Sequence, residues 1–270
     1  MSYEDYRYLR VAVDGGICRA TIDNPPINLL DANLIPELGR FALAVASDDS
    51  VRVVILDSAD PDFFIAHADV TLLQALTSGD TELHDELSPF HALGEMFRTM
   101  PKATIAVIEG IARSGGSELA LAFDMRFAAL ETARFAQPEV AIGIIPGGGG
   151  TQRLHRLVGR ARTLEVILGC DDVDAATAEA WGYVNRALPA AELRPFVDAL
   201  AARIASFPRE VIARAKHAVD AAALDPGPGL NVEDQQFREA LAAPVAAERM
   251  ASFLANGGQT RDVEIGELRL

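Results

Sequence analysis

The sequence predicts an α/β fold in which buried, mainly parallel strands are covered by helices, followed by a purely helical tail. Three observations carry this. The runs at 51–57 and 104–108 are short, apolar and unalternating, as strands buried on both faces are. Segments with apolar residues at helical spacing separate the strand-like runs near the N-terminus. After residue 150 only helical patterns recur. Residues 1–195 thus read as a core of repeated strand–strand–helix units and 196–270 as a helical C-terminal region, with no sequence repeat.

Each element has a local reason. Residues 8–14 and 17–23 form a hairpin around Gly15-Gly16, and Asn24-Pro25-Pro26 ends its second strand. Asp31 is placed to cap a helix reaching about residue 46, with Leu34, Leu38, Phe41, Ala42 and Val45 on one face. The strand at 51–57 runs into a turn at 59–62. Asp69 then caps a helix from 70 to about 76, a polar loop spans 77–85, and a helix covers about 86–98. Pro101 precedes the strand at 104–108, Gly110 opens a short loop, and Gly115-Gly116 introduces a helical run from Ser117. Later helices are expected at about 151–157, 160–169, 175–181, 191–206, 209–223, 231–242 and 245–255, with 225–229 the strongest breaker. Phe196, Val197, Leu200 and Ile204 make an apolar face too large to leave exposed on a monomer, so the tail is expected to assemble the protein.

Bulk properties narrow the function. A chain of 270 residues that is 50% hydrophobic can bury about 75% of its unfolded surface in one large core. A net charge of −15 with no basic run argues against a nucleic-acid or anionic-membrane partner. Cys18 and Cys170 are the only cysteines, which fits a reducing compartment and makes neither a disulfide framework nor a zinc pattern. His84 and His91 stand seven apart without an HExxH or Cys/His cluster, so no metal site is expected. The first residues lack an apolar signal core, and no run reaches membrane-spanning length; a cytoplasmic protein is expected.

The chemistry concentrates between residues 102 and 153. A glycine pair between a strand and a helix lets a ligand approach the backbone and leaves the first helical N–H groups free to hold an anion or a polarised carbonyl. Glu118 lies in the first turn of that helix and Glu139 follows Gln137-Pro138. Two carboxylates beside a backbone oxyanion site can move protons next to a carbonyl. Taken alone, each glutamate also has a plain structural reading, Glu118 with the helix dipole and Glu139 as a solvated loop residue. Residues 147–150 are glycine-rich but lack the spacing and lysine of a phosphate loop.

Taken together, Ile105-Ala106-Val107-Ile108-Glu109-Gly110, Gly115-Gly116-x-Glu118-Leu119-Ala120, Phe135-x-Gln137-Pro138-Glu139 and the segment from Gly143 to Leu154 resemble the crotonase family, the enoyl-CoA hydratases and isomerases. Residues 63–69 resemble its AGAD element and residues 174–185 its DAxxAxxxGLVN segment, so the resemblance covers nearly the whole chain. It implies the crotonase spiral of ββα units with a C-terminal trimerisation region, giving a homotrimer or a dimer of trimers. It also implies an acyl-CoA thioester substrate, coenzyme A being part of that substrate, with no metal and no other cofactor. The backbone N–H groups of Ala68 and Gly115 would form the oxyanion hole. Glu118 would help activate water for attack on C3, and Glu139 would deliver a proton to C2. Residues 77–85 would shape the acyl pocket and 147–150 would support Glu139. Ala66, His67, Asp69, Arg113, Ser114 and Phe237 fall at substrate-binding positions. The implied reaction is hydration of a trans-2-enoyl-CoA. Alternatives are isomerisation, hydrolysis or decarboxylation of an acyl-CoA, or a catalytically silent acyl-CoA-binding subunit.

The chain departs from the family pattern in three places. His67 replaces the glycine of AGAD, Arg113-Ser114 replaces a Leu-Gly-like pair, and the lysine often found after Phe253 is absent. Either the backbone tolerates the first two, or an imidazole or guanidinium reaches the pocket and selects a polar acyl group or a different reaction. A loop that needs positive φ at 67 or 114 would be distorted by the side chain there.

Overall fold

The computed structural model describes residues 3–75, 85–220 and 227–266. β1 (Leu9–Asp14) and β2 (Ile17–Ile22) pair antiparallel around Gly15-Gly16, as the turn signal requires. α1 (Leu34–Ser47) buries Leu34, Leu38, Phe41, Ala42 and Val45. Its cap comes from Asp31, whose Oδ1 accepts from the N–H groups of Asn33 at 2.9 Å and Leu34 at 2.8 Å.

Three strand pairs follow, and each pair splits between two sheets. β3 (Val53–Ser58), β5 (Ala103–Ile108) and β7 (Met125–Ala129) join a six-stranded sheet, while β4 (Phe63–Ile65), β6 (Ile111–Arg113) and β8 (Arg134–Ala136) join a four-stranded one. With β9 (Val173–Asp174) and β10 (Arg186–Leu188), the orders are β1-β2-β3-β5-β7-β10 and β4-β6-β8-β9. All pairings from β2 to β10 in the first sheet are parallel, as expected. β6, by contrast, occupies residues that read as loop after Gly110, because a three-residue strand is too short to show a period.

Helices complete the units: α2 (Val70–Ala75) and α3 (Pro89–Thr99) between β4 and β5, α4 (Gly115–Leu121) after β6, and α5 (Gly150–Gly169) after β8. Asp69 caps α2 as its position suggested, accepting from the Thr71 N–H at 2.9 Å. α5 is kinked at Gly159, which matches the two separate helices read there. α6 (Ala175–Trp181) and α7 (Ala190–Ala205) flank β10. The loop read over 77–85 lies, apart from Asp85, outside the described residues, as does His84.

The six-stranded sheet is covered on both faces. Val54, Leu56, Ala106 and Ile108 point into the main core with α1, α3 and α4, whereas Val53, Ile55, Ile105 and Val107 pack under α7. This explains the unalternating apolar runs of β3 and β5, in which every residue is buried. It also corrects the expectation for the apolar face at 196–204. Val197 is fully buried, and Phe196, Leu200 and Ile204 pack on the chain's own sheet, so this face is already covered. The 195/196 boundary falls inside α7.

Four more helices follow among the described residues: α8 (Arg209–Asp220), α9 (Gly227–Ala242), α10 (Pro244–Ala255) and α11 (Arg261–Ile265). α9 begins inside the expected breaker, because a proline in a first turn has no helical hydrogen bond to lose. α11 was not anticipated; five residues carry no legible period. No helix among the described residues is long and apolar enough to cross a membrane.

Candidate active site

β4 and β6 end side by side, and the segments leaving them build the site. After β4, the backbone at 67–69 runs beside Leu30: the Leu30 N–H donates to the His67 carbonyl at 3.0 Å, and the Asp69 N–H donates to the Leu30 carbonyl at 3.0 Å. That register turns the intervening Ala68 N–H away from Leu30. After β6, Ser114 turns the chain into α4 with φ of +49° and ψ of −132°, a conformation that favours glycine, so the resemblance-based concern about residue 114 is realised there. His67 is not among the positive-φ residues.

Gly116 is needed for the approach of α4 to β4: a Cβ there would lie 2.4 Å from the Ile65 carbonyl oxygen. This contact brings Gly115 against Ala68, so close that a Cβ on Gly115 would sit 3.5 Å from the Ala68 Cβ. Neither the Ala68 N–H nor the Gly115 N–H donates to another described residue. Two free backbone donors side by side can hold one oxyanion.

Glu118, on the first turn of α4, is buried and held from below by the glycine-rich turn that starts α5. Its Oε1 accepts from the Gly148 N–H at 2.7 Å and the Gly150 N–H at 2.9 Å. Gly148 cannot carry a side chain, since a Cβ would meet Phe90 at 2.3 Å and Glu118 Oε2 at 2.7 Å. The turn at 147–150 was expected to support Glu139; its N–H groups hold Glu118 instead. The two alternate donors between and after them, the Gly149 and Thr151 N–H groups, hold a third carboxylate, Glu233 of α9, at 2.6 and 2.8 Å.

Glu139 opens the short 3-10 helix Glu139–Ile142 and is equally buried. Neither of its oxygens has a hydrogen-bond partner among the described residues. It faces a cavity of about 30 Å³, lined also by Ala68, Ser114, Val70, Ile142, Ile144 and Phe253. Burial lifts the Glu139 carboxyl to about 7, with the Ser114 hydroxyl opposing the rise and Glu233 adding to it. Burial, then the charges of Glu139 and Glu233, lift Glu118 well above the ordinary carboxyl range against the pull of the Gly150 and Gly148 N–H groups. Two such carboxyls titrate as a pair, and near neutral pH the pair retains a proton.

The remaining predicted positions divide. His67 lines the cavity, but both ring nitrogens are engaged: Nδ1 lies 2.8 Å from the Ala68 carbonyl and Nε2 lies 2.9 Å from Glu264 Oε1 of α11. Burial pushes the Glu264 carboxyl up, yet His67, the Gln259 N–H and Arg113 outweigh it and hold the group below its usual range. Arg113 lines the cavity too, with its donors spent on Asp172 at 2.7 and 2.6 Å and on the Glu264 carbonyl at 3.0 Å. Asp69 caps α2 and takes a bond from Gln259. Ala66 is buried beside Ile27 and Phe63, and Phe237 lies across Gly147 and packs with Ile144 and Met250.

Glu233, His91 and Glu264 were not anticipated as parts of the site, His91 having been weighed only as a metal ligand. A signal for Glu233 did exist. It falls on the apolar stripe of α9 between Leu230 and Phe237, where a carboxylate needs a buried partner.

A family model described as enoyl-CoA hydratase/isomerase matches residues 12–255. A Rhizobium meliloti (strain 1021) protein named "Probable enoyl-CoA hydratase" is 36% identical over 257 residues, which cover 94% of this chain and 96% of the relative. The crotonyl-CoA hydratase of Syntrophomonas wolfei subsp. wolfei is 34% identical, covering 84% of this chain and 87% of its own. The crystal structure of a Streptomyces avermitilis chain superposes with a TM-score of 0.88 at 43% identity, covering 96% of this chain and 95% of that one.

Proposed function

This chain belongs to the enoyl-CoA hydratase/isomerase family, and from that premise we propose that it adds water across the 2,3 double bond of a trans-2-enoyl-CoA. The observation that carries this is a pair of buried carboxyls whose protonated forms are favoured by burial, one facing the cavity beside two backbone donors that have no partner among the described residues. The thioester oxygen sits between the Ala68 and Gly115 N–H groups, which stabilise the enolate by several kcal/mol. Glu118 as carboxylate takes a proton from water as its oxygen attacks C3. Glu139 as acid gives a proton to C2. The pair ends with the one proton it began with, carried by the other partner. Coenzyme A enters as part of the substrate, and the reaction asks for no other cofactor.

A homotrimer or dimer of trimers belongs to the same reading. Phe207, Val211 and Val219, at or on α8, are exposed and supply an apolar face in place of the one the chain covers itself. A monomer mass by light scattering at micromolar concentration would overturn it.

The reaction is tested by crotonyl-CoA hydration in Glu118→Gln, Glu139→Gln and the double variant. Each single change should cost about 10²–10⁴ in kcat, and the double far less than their product, because the two groups serve one water. An isomerase would keep turnover of a 3-enoyl-CoA in Glu118→Gln and lose it in Glu139→Gln. A silent binding subunit would show no turnover in the parent.

A further inference from the structure

Four consecutive backbone N–H groups at the start of α5 point alternately at two carboxylates. Gly148 and Gly150 donate to Glu118, while Gly149 and Thr151 donate to Glu233. The Thr151 hydroxyl also donates to Glu233. The turn is therefore held between two carboxyl groups, and neither can shift without moving the donors of the other. Glu233 is anchored in turn from a third element: its Oε1 lies 2.9 Å from Nε2 of His91, a fully buried residue of α3. His91 Nδ1 lies 3.0 Å from the Ser88 hydroxyl that caps α3, so the Nε2–H tautomer satisfies both ring nitrogens. Nothing in the reaction proposed above uses Glu233 or His91, yet burying a carboxylate costs several kcal/mol unless it is fully bonded.

We propose that Glu233, fixed by His91, is a positioning residue for Glu118: it locks the 148–151 turn whose alternate N–H groups aim the Glu118 carboxyl at the site. It rests on the reading of Glu118 as half of the acid/base pair. Its own geometry does not depend on which acyl-CoA is turned over. The charge of Glu233 has a second effect, since it disfavours the ionised form of Glu118. The other groups around Glu118 are Glu139 on the 3-10 helix, which also disfavours the ionised form, the Tyr183 phenol, pushed up to about 12 by burial and so uncharged, and the guanidinium of Arg153, which lies on the Gly148 carbonyl at 2.8 Å. Glu233 is thus the negative neighbour that does not itself face the cavity.

The test reads position and charge separately. In protein labelled at the glutamate side-chain carboxyls, the Glu118 signal is identified by its loss in Glu118→Gln and titrated by ¹³C NMR. In Glu233→Gln its midpoint should fall by about one pH unit, because a negative neighbour has gone. Crotonyl-CoA hydration should lose about tenfold in kcat with KM nearly constant. Thr151→Val, which keeps the size of the chain and the charge on Glu233 but removes one donor to it, should move the midpoint upward and lower kcat several-fold. This milder variant carries the test if Glu233→Gln does not fold. A Glu118 midpoint unmoved in the folded variants would overturn the proposal, as would parental kcat. A parent that fails to hydrate crotonyl-CoA sinks the reading of the reaction alone, and the titration still judges Glu233.

Discussion

Replacing Glu139 by glutamine should stabilise the folded protein, and more at alkaline than at acid pH. The carboxyl is buried with no hydrogen bond in normal geometry among the described residues, and its pKa rises from 4.5 to about 7 although the Ser114 hydroxyl pulls it down. Because the folded-state value is the higher one, the folded protein holds this proton more tightly than the unfolded chain does. The stability this supplies is fully present below about 4.5 and is lost as pH rises through about 7. At 1.36 kcal/mol per pKa unit, an ionised Glu139 costs the fold about 3 kcal/mol at pH 8 and under about 1 kcal/mol at pH 5. Glutamine keeps the size and the polar end but has no proton to lose. Urea unfolding at both pH values, parent against Glu139→Gln, should show a gain at pH 8 of up to about 3 kcal/mol that shrinks below about 1 kcal/mol at pH 5. The same variant loses hydration, so gain of stability and loss of turnover would appear in one protein, as expected where a site holds a group in an unfavourable state. An equal effect at the two pH values, or a destabilisation at pH 8, would refute the account of Glu139 as a carboxyl strained by burial.

Further changes probe the departures at 67 and 114. A double-mutant cycle with His67→Gln and Glu264→Gln should give a coupling of about 1–3 kcal/mol at pH 7. Because the Glu264 value is depressed, that coupling should be present above the usual carboxylate range and fade as pH falls below it; a coupling unchanged at acid pH would count against a contact that depends on the Glu264 carboxylate. Since both nitrogens of His67 are already engaged, His67→Gly should change kcat/KM to a similar degree for short, long and polar acyl thioesters, and selective loss of the polar ones would show the imidazole reaching the acyl group. Ser114→Gly should raise stability by about 1 kcal/mol by releasing the positive φ. It also removes a hydroxyl that opposes the rise of the Glu139 carboxyl, so the alkaline limb of the hydration profile should move to higher pH; an unchanged limb would mean the hydroxyl does not reach Glu139.

Much of this protein was legible in the chain because the causes are local. The unalternating runs of β3 and β5 record burial on both faces, Asp31 and Asp69 record helix starts, and Gly116 before Glu118 records a helix that must pack closely on β4. The motifs around Glu118 and Glu139 marked both carboxyls and the family without any coordinates. What remained hidden depends on residues far apart in the chain. Glu233 and Gly149 are 84 positions apart, and His67 and Glu264 are 197 apart. No periodicity or spacing connects such pairs, since each is made only when helices of the C-terminal region dock on the core. The destination of the apolar face of α7 was hidden for the same reason. Amphipathic spacing tells that a face must be covered, but only the packing of α7 on the six-stranded sheet decides that the chain covers it itself. The sequence thus determined the elements and the chemical groups. Tertiary structure alone decided which carboxylate the glycine turn holds, because a backbone N–H carries no residue identity and its partner is whatever the fold brings within 3 Å.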